Sequence, residues 1–574
     1  MLNLEDDDRI APKTKIPELF NSIDKNKKAL LDDLRDAVSI PSVSTDPTHF
    51  SNVLKMLNFC AEKLEVLGAS VDVIDGNNEA NSNLPPVLFA DLFVDEEYKT
   101  ICVYGNIDTL SPALTQSDKR PPFELTEELG RLYGCGISDN KAPLLCWFNA
   151  LKIYKMSKNV IPVNMKFVIE ATSELYSQSL FNAIQKKREF FNNVEYICLT
   201  IDKMVNEMPC LKYGYRGLCH FALKVSCGKK RVHSGTYGGA FNQPLMDAVN
   251  VIGSLVDKQG KIAISEFIKD VKSITEVDYD HCKKEPFCVE TLKKETGVTY
   301  LEHKEIPSRI MMHKTRLPSF TVNAFHIISA AADKDDCASI PNKIKARFSV
   351  RLVPNQTTDR TFQQFKRYID EIWHHYKSAN DYELKMTLGF DPWQEDPSSE
   401  HYDAAARAIK TVYKVCPSYV SEGSTMPAVS IFNTMCPSSN IIVMPISGHK
   451  DGHHTKDESI SILNYIQGVK LAIAYMCEIH EINYNGSGLP EAESLAACTE
   501  SPPTGARLEE ADAPILCVMR ESSPCPLPVN QQPPLLLSPS PPAPLSPLRC
   551  SAHGIRARNT FIAYPDTSLK VICL

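Results

Sequence analysis

Apolar and polar residues follow two alternating periods along most of the chain. Apolar residues at helical spacing predict helices at 30–38, 53–64 and 143–156. Short runs rich in β-branched and aromatic residues predict strands at 69–74, 86–93, 100–105, 163–170 and 196–201. Because strands and helices alternate, the pattern predicts an α/β sheet with helices on both faces.

The pattern changes near Tyr213. The next predicted elements are strands at 217–227 and 346–352 and helices at 245–255 and 361–376. This combination predicts a small α+β insert over 215–393. The α/β pattern returns with helices at 402–415 and 462–480. The main domain is therefore predicted to be discontinuous, over 15–214 and 394–484.

Both ends of the chain differ from this pattern. Residues 1–14 are acidic and polar, without a positively charged region followed by an apolar stretch, so we expect a flexible start and no secretory signal. Residues 485–574 hold 15 of the 39 prolines, which predicts a disordered tail. This tail also has the composition of SH3-domain ligands, although we favour an inert segment.

Length and composition limit the class of protein. A chain of 574 residues predicts two or three domains, and 43% hydrophobic residues suffice for a sizeable core. The formal net charge of -8 provides no basic face, so we expect neither nucleic acid nor a membrane as a partner. The 19 cysteines are scattered without a C-x-x-C pair, which favours reduced thiols and a cytoplasmic protein.

Candidate functional residues follow the predicted strands, beyond which ligands of open α/β sheets collect. They are Asn106, Asp108, Asp139, Glu174, Asp202 and the histidines of 448–454. Taken alone, Asn106 and Asp108 are equally typical of turns, and Asp139 is equally typical of a helix N-cap. Imidazoles combined with several carboxylates are typical of a divalent-metal site.

Longer strings carry a family resemblance, namely GRLYGCGISDNKAP, YGYRG, HSGTYGGAFN, FSVRLVPN and DGHHTKDE, in this order. They resemble the M20 metallopeptidases, and within them the carnosine dipeptidases and the cytosolic non-specific dipeptidase. The resemblance covers 15–480 and leaves the tail outside. It implies a zinc-peptidase-like catalytic domain, interrupted by an α+β lid that forms a homodimer, and a centre of two metal ions.

The resemblance also implies which residues bind the metals. Asp139 stands where the family has the aspartate that bridges both ions. Glu174 and His454 would complete one site, for Zn²⁺ or Mn²⁺. His453 and His449 lie in the same loop as His454, and spacing alone does not separate these histidines.

The second metal site and the general base depart from the family pattern. Asn106 replaces the histidine ligand that Asp108 would orient, and Ile201 replaces the aspartate ligand. Asp202 is adjacent, but on a strand it would serve only if the register slipped. Ser173 replaces the glutamate that serves as general base, and a serine hydroxyl does not take up a proton at neutral pH.

Several substrate-binding positions of the family are kept. His233 matches the lid histidine that polarises the scissile carbonyl across the dimer, and Arg351 matches the arginine that binds the substrate carboxylate. Thr425 lies in a retained hydroxyl-bearing loop. Other pocket positions have changed, namely Ala338, Phe390 and Ser421.

Two hypotheses follow from these residues. The first is a cytoplasmic, homodimeric metallodipeptidase that acts on small dipeptides, weakened by Ser173 and Asn106. The second is a pseudoenzyme that keeps the fold, the dimer and one metal ion, and either binds a dipeptide or pairs with an intact paralogue.

Overall fold

A computed structural model describes residues 12–77, 83–112, 120–285, 287–328 and 338–482. The tail predicted to be disordered, 485–574, lies outside the described residues. Within the predicted flexible start, Pro12–Lys15 form a 3-10 turn. Lys13 pairs there with Glu478 at 2.9 Å and with Glu481 at 2.6 Å, which ties this turn to the last helix.

The described residues contain eighteen strands. In chain order they are β1 Ser70–Ile74, β2 Val87–Leu92, β3 Thr100–Asn106, β4 Thr126–Glu128, β5 Arg131–Tyr133, β6 Asn164–Glu170, β7 Tyr196–Leu199, β8 Cys210–Tyr215, β9 Gly217–Ser226, β10 Val232–His233, β11 Ser319–Ile327, β12 Ser339–Ile340, β13 Lys343–Leu352, β14 Asp381–Phe390, β15 Trp393–Gln394, β16 Ser418–Glu422, β17 Asn440–Val443 and β18 Ser459–Ser461.

Helices occupy much of the remaining chain. The α-helices of the described residues are Ile16–Val38, Phe50–Leu67, Ala142–Met156, Gln178–Lys186, Ser234–Tyr237, Pro244–Ser254, Ser265–Lys269, Glu276–Lys284, Val289–Thr296, Pro307–Thr315, Thr358–Tyr376, Glu400–Tyr413, Pro427–Met435 and Ile462–Ile482. The predicted helices are all present, with ends that differ by a few residues, except that the helix predicted at 30–38 begins already at Ile16.

The largest sheet has nine strands in the order β1-β2-β6-β3-β7-β17-β8-β15, and β16 pairs with β8. Strands β6, β3, β7 and β17 run parallel, so their carboxyl ends lie at one edge. One face packs against the helices Ile16–Val38, Ala142–Met156 and Ile462–Ile482. The opposite face packs against Gln178–Lys186 and Pro427–Met435. This arrangement confirms the predicted α/β sheet with helices on both faces.

A second, antiparallel sheet lies within the predicted insert and has the order β11-β13-β9-β14. It has its own core, in which Phe221 stacks on Phe348 and Phe365. The helices Pro244–Ser254 and Thr358–Tyr376 supply further residues to this core. Strand β13 begins at Lys343 rather than at the predicted position 346, because it pairs with β9 along its full length.

Two general features complete the fold. No helix in the described part of the chain is long and apolar enough to cross a membrane. The cysteines of the described residues are free thiols, and most of them are buried.

Candidate metal centre

Three of the predicted site residues meet beyond the parallel strands of the large sheet. His454 Nε2 lies 2.9 Å from Asp139 Oδ2 and 3.1 Å from Glu174 Oε1. One ligand atom from each residue lies within 4.8 Å of the others. The side chain of Glu174 is 8% exposed and that of His454 is 47% exposed, so the cluster is open on one side. Two carboxylates and an imidazole fit a hydrolytic Zn²⁺ or Mn²⁺ that keeps a free coordination position.

The loop that carries Asp139 is fixed by Glu458. The Glu458 carboxylate accepts hydrogen bonds from the backbone N–H groups of Gly136 at 2.7 Å, Ser138 at 2.9 Å and Asp139 at 3.1 Å. Gly136 has φ +71°, and a Cβ atom there would lie 2.1 Å from the Thr109 side chain. Only glycine therefore allows the loop to turn at this point.

Asp108 fixes the turn that carries Glu174. Its Oδ1 accepts the Ser173 N–H at 3.2 Å, and its Oδ2 accepts the Glu174 N–H at 3.0 Å and the Ser44 hydroxyl at 2.7 Å. Burial, together with the nearby charge of Glu170, raises the pKa of Asp108 to about 7. Asp108 therefore has partners although Asn106 replaces the histidine that it would orient, because backbone and hydroxyl donors bind its carboxylate.

The cluster concentrates negative charge. Burial raises the pKa of Glu174 to about 7, although His454 opposes this shift. Hydrogen bonds to Asp139 and Glu174 raise the pKa of His454 to about 11. A divalent cation would compete with the proton on His454 for the same atoms.

Asn106 is the amide that replaces the histidine ligand of the family. It ends β3, is 2% exposed, and its Nδ2 has no hydrogen-bond partner among the described residues. An amide oxygen is a much weaker zinc ligand than the imidazole that the family has here. Ile201 is also buried, and its side chain has no ligand atom.

Asp202 does not join the cluster. The strand β7 ends at Leu199, earlier than the predicted position 201, and Asp202 has φ +68°. Its Oδ2 accepts hydrogen bonds from Lys212 Nζ at 2.6 Å and Tyr215 Oη at 2.7 Å. The second metal set of the family therefore does not fit this chain, because one ligand is an amide and another is bound to a lysine.

The neighbouring histidines occupy other surroundings. His449 is exposed, and its Nε2 lies 3.8 Å from Glu295. His453 Nε2 is buried without a hydrogen-bond partner among the described residues, and burial lowers the pKa of His453. Of the three candidates in this loop, His454 is the one within reach of Asp139 and Glu174.

The predicted substrate-binding residues form two groups. Arg351 Nη1 donates to Thr425 Oγ1 at 2.6 Å, and Thr425 Oγ1 donates to the Arg216 carbonyl at 2.6 Å. His233 lies on β10, where its Nδ1 accepts the Gly235 N–H at 3.1 Å, and it is not part of the metal cluster. The structure thus brings Arg351 and Thr425 together and leaves His233 exposed in another segment.

Three important side chains escaped sequence analysis. Glu458 is buried and binds groups that are distant in sequence. Lys212 is buried between Asp202 at 2.6 Å and Glu422 at 2.7 Å. A lysine inside a strand usually indicates a solvent-facing position, so nothing local distinguishes Lys212.

An α/β sheet with a carboxylate and imidazole cluster beyond its parallel strands is typical of metal-dependent hydrolases. Residues 102–478 match the model of peptidase family M20/M25/M40. The chain is 32% identical to the Beta-Ala-His dipeptidase of Mus musculus, over 83% of this chain and 98% of that protein. It is 28% identical to the Cys-Gly metallodipeptidase dug1 of Schizosaccharomyces pombe, over 82% of this chain and 100% of that protein.

A solved structure gives the same result. The crystal structure of human carnosine dipeptidase 1 has a TM-score of 0.68 and 30% identity to the chain, over 81% of this chain and 99% of that one. The chain therefore belongs to the M20 peptidase family, which confirms the resemblance drawn from its sequence strings.

Proposed function

We propose that this protein is a metallodipeptidase that hydrolyses small dipeptides, carnosine-like or unspecific, with activity weakened at Ser173 and Asn106. The Asp139, Glu174 and His454 cluster carries the proposal, because its donor atoms suit one divalent cation. The similarity to the Beta-Ala-His dipeptidase and to the Cys-Gly metallodipeptidase supports a small peptide as substrate.

The proposed roles follow from the residue types. Asp139, Glu174 and His454 would hold one Zn²⁺ or Mn²⁺, which when bound supplies Lewis acidity toward water and the scissile carbonyl. Arg351, with Thr425 beside it, would bind the C-terminal carboxylate of the dipeptide, since a guanidinium matches a carboxylate in a bidentate manner. His233 would polarise the scissile carbonyl, and Asp108 would keep Glu174 in place.

Ser173 limits the proposed rate. Its backbone N–H is bound to Asp108, and its side chain has no carboxylate with which to take a proton from water. Loss of a positioned acid or base typically lowers a rate by about 10²–10⁴-fold. The same observation favours the second candidate, a pseudoenzyme that keeps dimerisation and binds a dipeptide or a single metal ion.

We also propose a homodimer formed through the insert as a lid, with a heterodimer with an intact paralogue as the alternative. Strand β11 is an outer strand of its sheet, and its exposed apolar residues are Val322, Phe325 and Ile327. Such an edge favours pairing with another chain. A cytoplasmic location and the absence of nucleic-acid and membrane partners remain part of the proposal.

One experiment tests the two candidates. The purified protein is assayed with a dipeptide panel containing β-Ala-His and Cys-Gly, with added Mn²⁺ or Zn²⁺. The variants Ser173→Glu and Asn106→His/Ser173→Glu are assayed beside it. Turnover by the unmodified protein that stops with chelator would support the enzyme. Turnover by the variants alone would establish the pseudoenzyme.

A further inference from the structure

Lys212 is a buried ammonium group on the large sheet. Its side chain is 1% exposed and lies in β8. The Nζ atom donates to Asp202 Oδ2 at 2.6 Å and to Glu422 Oε1 at 2.7 Å. Burial alone would lower the pKa of Lys212, but the charges of Asp202 and Glu422 raise it, so the group stays positively charged.

The hydrogen bonds of Asp202 leave it little capacity for a cation. Oδ2 accepts from both Lys212 and Tyr215, which uses its two lone pairs, and Oδ1 accepts the Lys203 N–H at 2.8 Å. Burial alone would raise the pKa of Asp202, yet the charge and hydrogen bond of Lys212 lower it. Asp202 is therefore an ionised carboxylate whose charge is already neutralised.

The turn that carries Asp202 packs against the loop that carries Asp139. Asn140 Nδ2 donates to the Thr200 carbonyl at 3.2 Å. The Ser447 hydroxyl donates to the Ser138 carbonyl at 2.7 Å, and Ser447 also forms a β-bridge with Lys203. At the other changed ligand position of the family's second site, Asn106 offers an amide in place of an imidazole. A second divalent cation would face one weak ligand, one occupied carboxylate and the repulsion of an ammonium group.

We infer that the Lys212 ammonium takes the place of the second divalent cation, so that the centre binds a single metal ion per chain. This inference rests on the proposed function in assuming that Asp139, Glu174 and His454 bind that ion. Lys212 is a positioning residue here: it holds Asp202 in its ionised form and supplies a fixed positive charge, without contact to substrate.

The test counts metal ions and does not depend on turnover. The full-length protein is freed of metal with a chelator, equilibrated with Mn²⁺ or with Zn²⁺, passed through a desalting column and analysed by elemental mass spectrometry. We expect about one ion per chain for the unmodified protein and for Asn106→His, because Lys212 remains in both. We expect about two ions per chain for Asn106→His/Lys212→Thr, which removes the ammonium and restores an imidazole.

Two controls keep the result interpretable. Circular dichroism and the thermal midpoint show whether each variant is folded, and the count for Asn106→His tests the role of Lys212 even if the double variant is not folded. About two ions on the unmodified protein, with one lost in His453→Ala, would overturn the inference and assign the second site to His453. About two ions on Asn106→His alone would also overturn it, because the ammonium would then not exclude a cation.

The outcome is separable from the proposed function. One bound ion without dipeptide turnover would support this inference and overturn the proposed hydrolysis. Two bound ions with turnover would overturn this inference and support the proposed hydrolysis.

Discussion

The Glu458 carboxylate accepts the backbone N–H of Asp139 at 3.1 Å, and so links the strand β18 segment to the proposed metal ligand. Glu458 directly precedes β18 and is 8% exposed. The Ser138 hydroxyl also donates to it, at 2.8 Å. Because this one carboxylate accepts several hydrogen bonds from the same loop, it fixes the position of the metal ligand that the loop carries.

We expect Glu458→Gln to weaken metal binding, because an amide accepts fewer of these hydrogen bonds and places an N–H group against donors. Loss of such an outer contact typically costs about 10–100-fold in metal affinity. Titration calorimetry with Mn²⁺ measures the effect, and Glu65→Gln on an exposed helix position serves as the control. Equal affinities for both variants would show that Glu458 does not position Asp139.

Restoring a carboxylate at Ser173 should raise activity. We expect Ser173→Glu to increase kcat by about 10²–10⁴-fold, the typical contribution of a general base. The measurement is steady-state hydrolysis of β-Ala-His or Cys-Gly with saturating Mn²⁺. Ser173→Gln is the matched control, because glutamine has the same length and cannot take a proton. An equal gain in both variants would indicate a packing effect instead of base catalysis.

Arg351 should act mainly on substrate binding. We expect Arg351→Lys to lower kcat/KM by about 10–100-fold, chiefly through KM, because lysine loses the bidentate contact with a carboxylate. Arg347→Lys, on the same strand and exposed, provides a control that should change little. The assay compares KM and kcat for a dipeptide with those for its C-terminal amide. A discrimination between the two substrates that survives in Arg351→Lys would contradict the proposed contact.

His401 should make the fold sensitive to acid. It is 1% exposed, and Nδ1 lies 2.6 Å from Asn440 Oδ1 while Nε2 contacts the Tyr475 hydroxyl. Burial lowers the pKa of His401 from 6.5 to about 4. Its contribution to stability is complete above pH 6.5 and is lost as the pH falls toward about 4, since the unfolded chain then binds a proton that the folded chain does not.

We therefore expect the low pKa of His401 to reduce the free energy of unfolding by on the order of 2–3 kcal/mol between neutral pH and pH 4. Urea unfolding at a series of pH values measures how steeply the free energy of unfolding changes with pH. His401→Gln should flatten this slope, while His375→Gln, at an exposed helix position, should leave it unchanged. The same slope in the unmodified protein and in His401→Gln would rule out this origin.

Sequence patterns anticipated the architecture because burial on a sheet or helix face imposes a period on the chain. The change of pattern near Tyr213 is followed by a second sheet with its own core around Phe221 and Phe348. Strand ends were less accurate. The end of β7 at Leu199 depends on the turn at Asp202, which is set by contacts with β8 and not by local preference.

The site was predictable where its residues lie in long family strings or follow a predicted strand. Asp139 and His454 lie in such strings, Glu174 follows a predicted strand, and the structure brings the three together. Lys212 and Glu422 are 210 positions apart, and only the pairing of β16 with β8 makes them neighbours. No local sequence pattern predicts a contact between residues so far apart, so only the structure reveals this ion pair.

The ammonium group of Lys212 is a covalent part of the polypeptide, whereas a bound metal ion can be removed. A chelator that strips the Asp139 cluster would leave the charge beside Asp202 untouched. Under metal starvation this half of the centre would stay assembled, and reloading would need only one encounter with one ion. A protein built in this way depends less on metal supply for its architecture than for any reaction it performs.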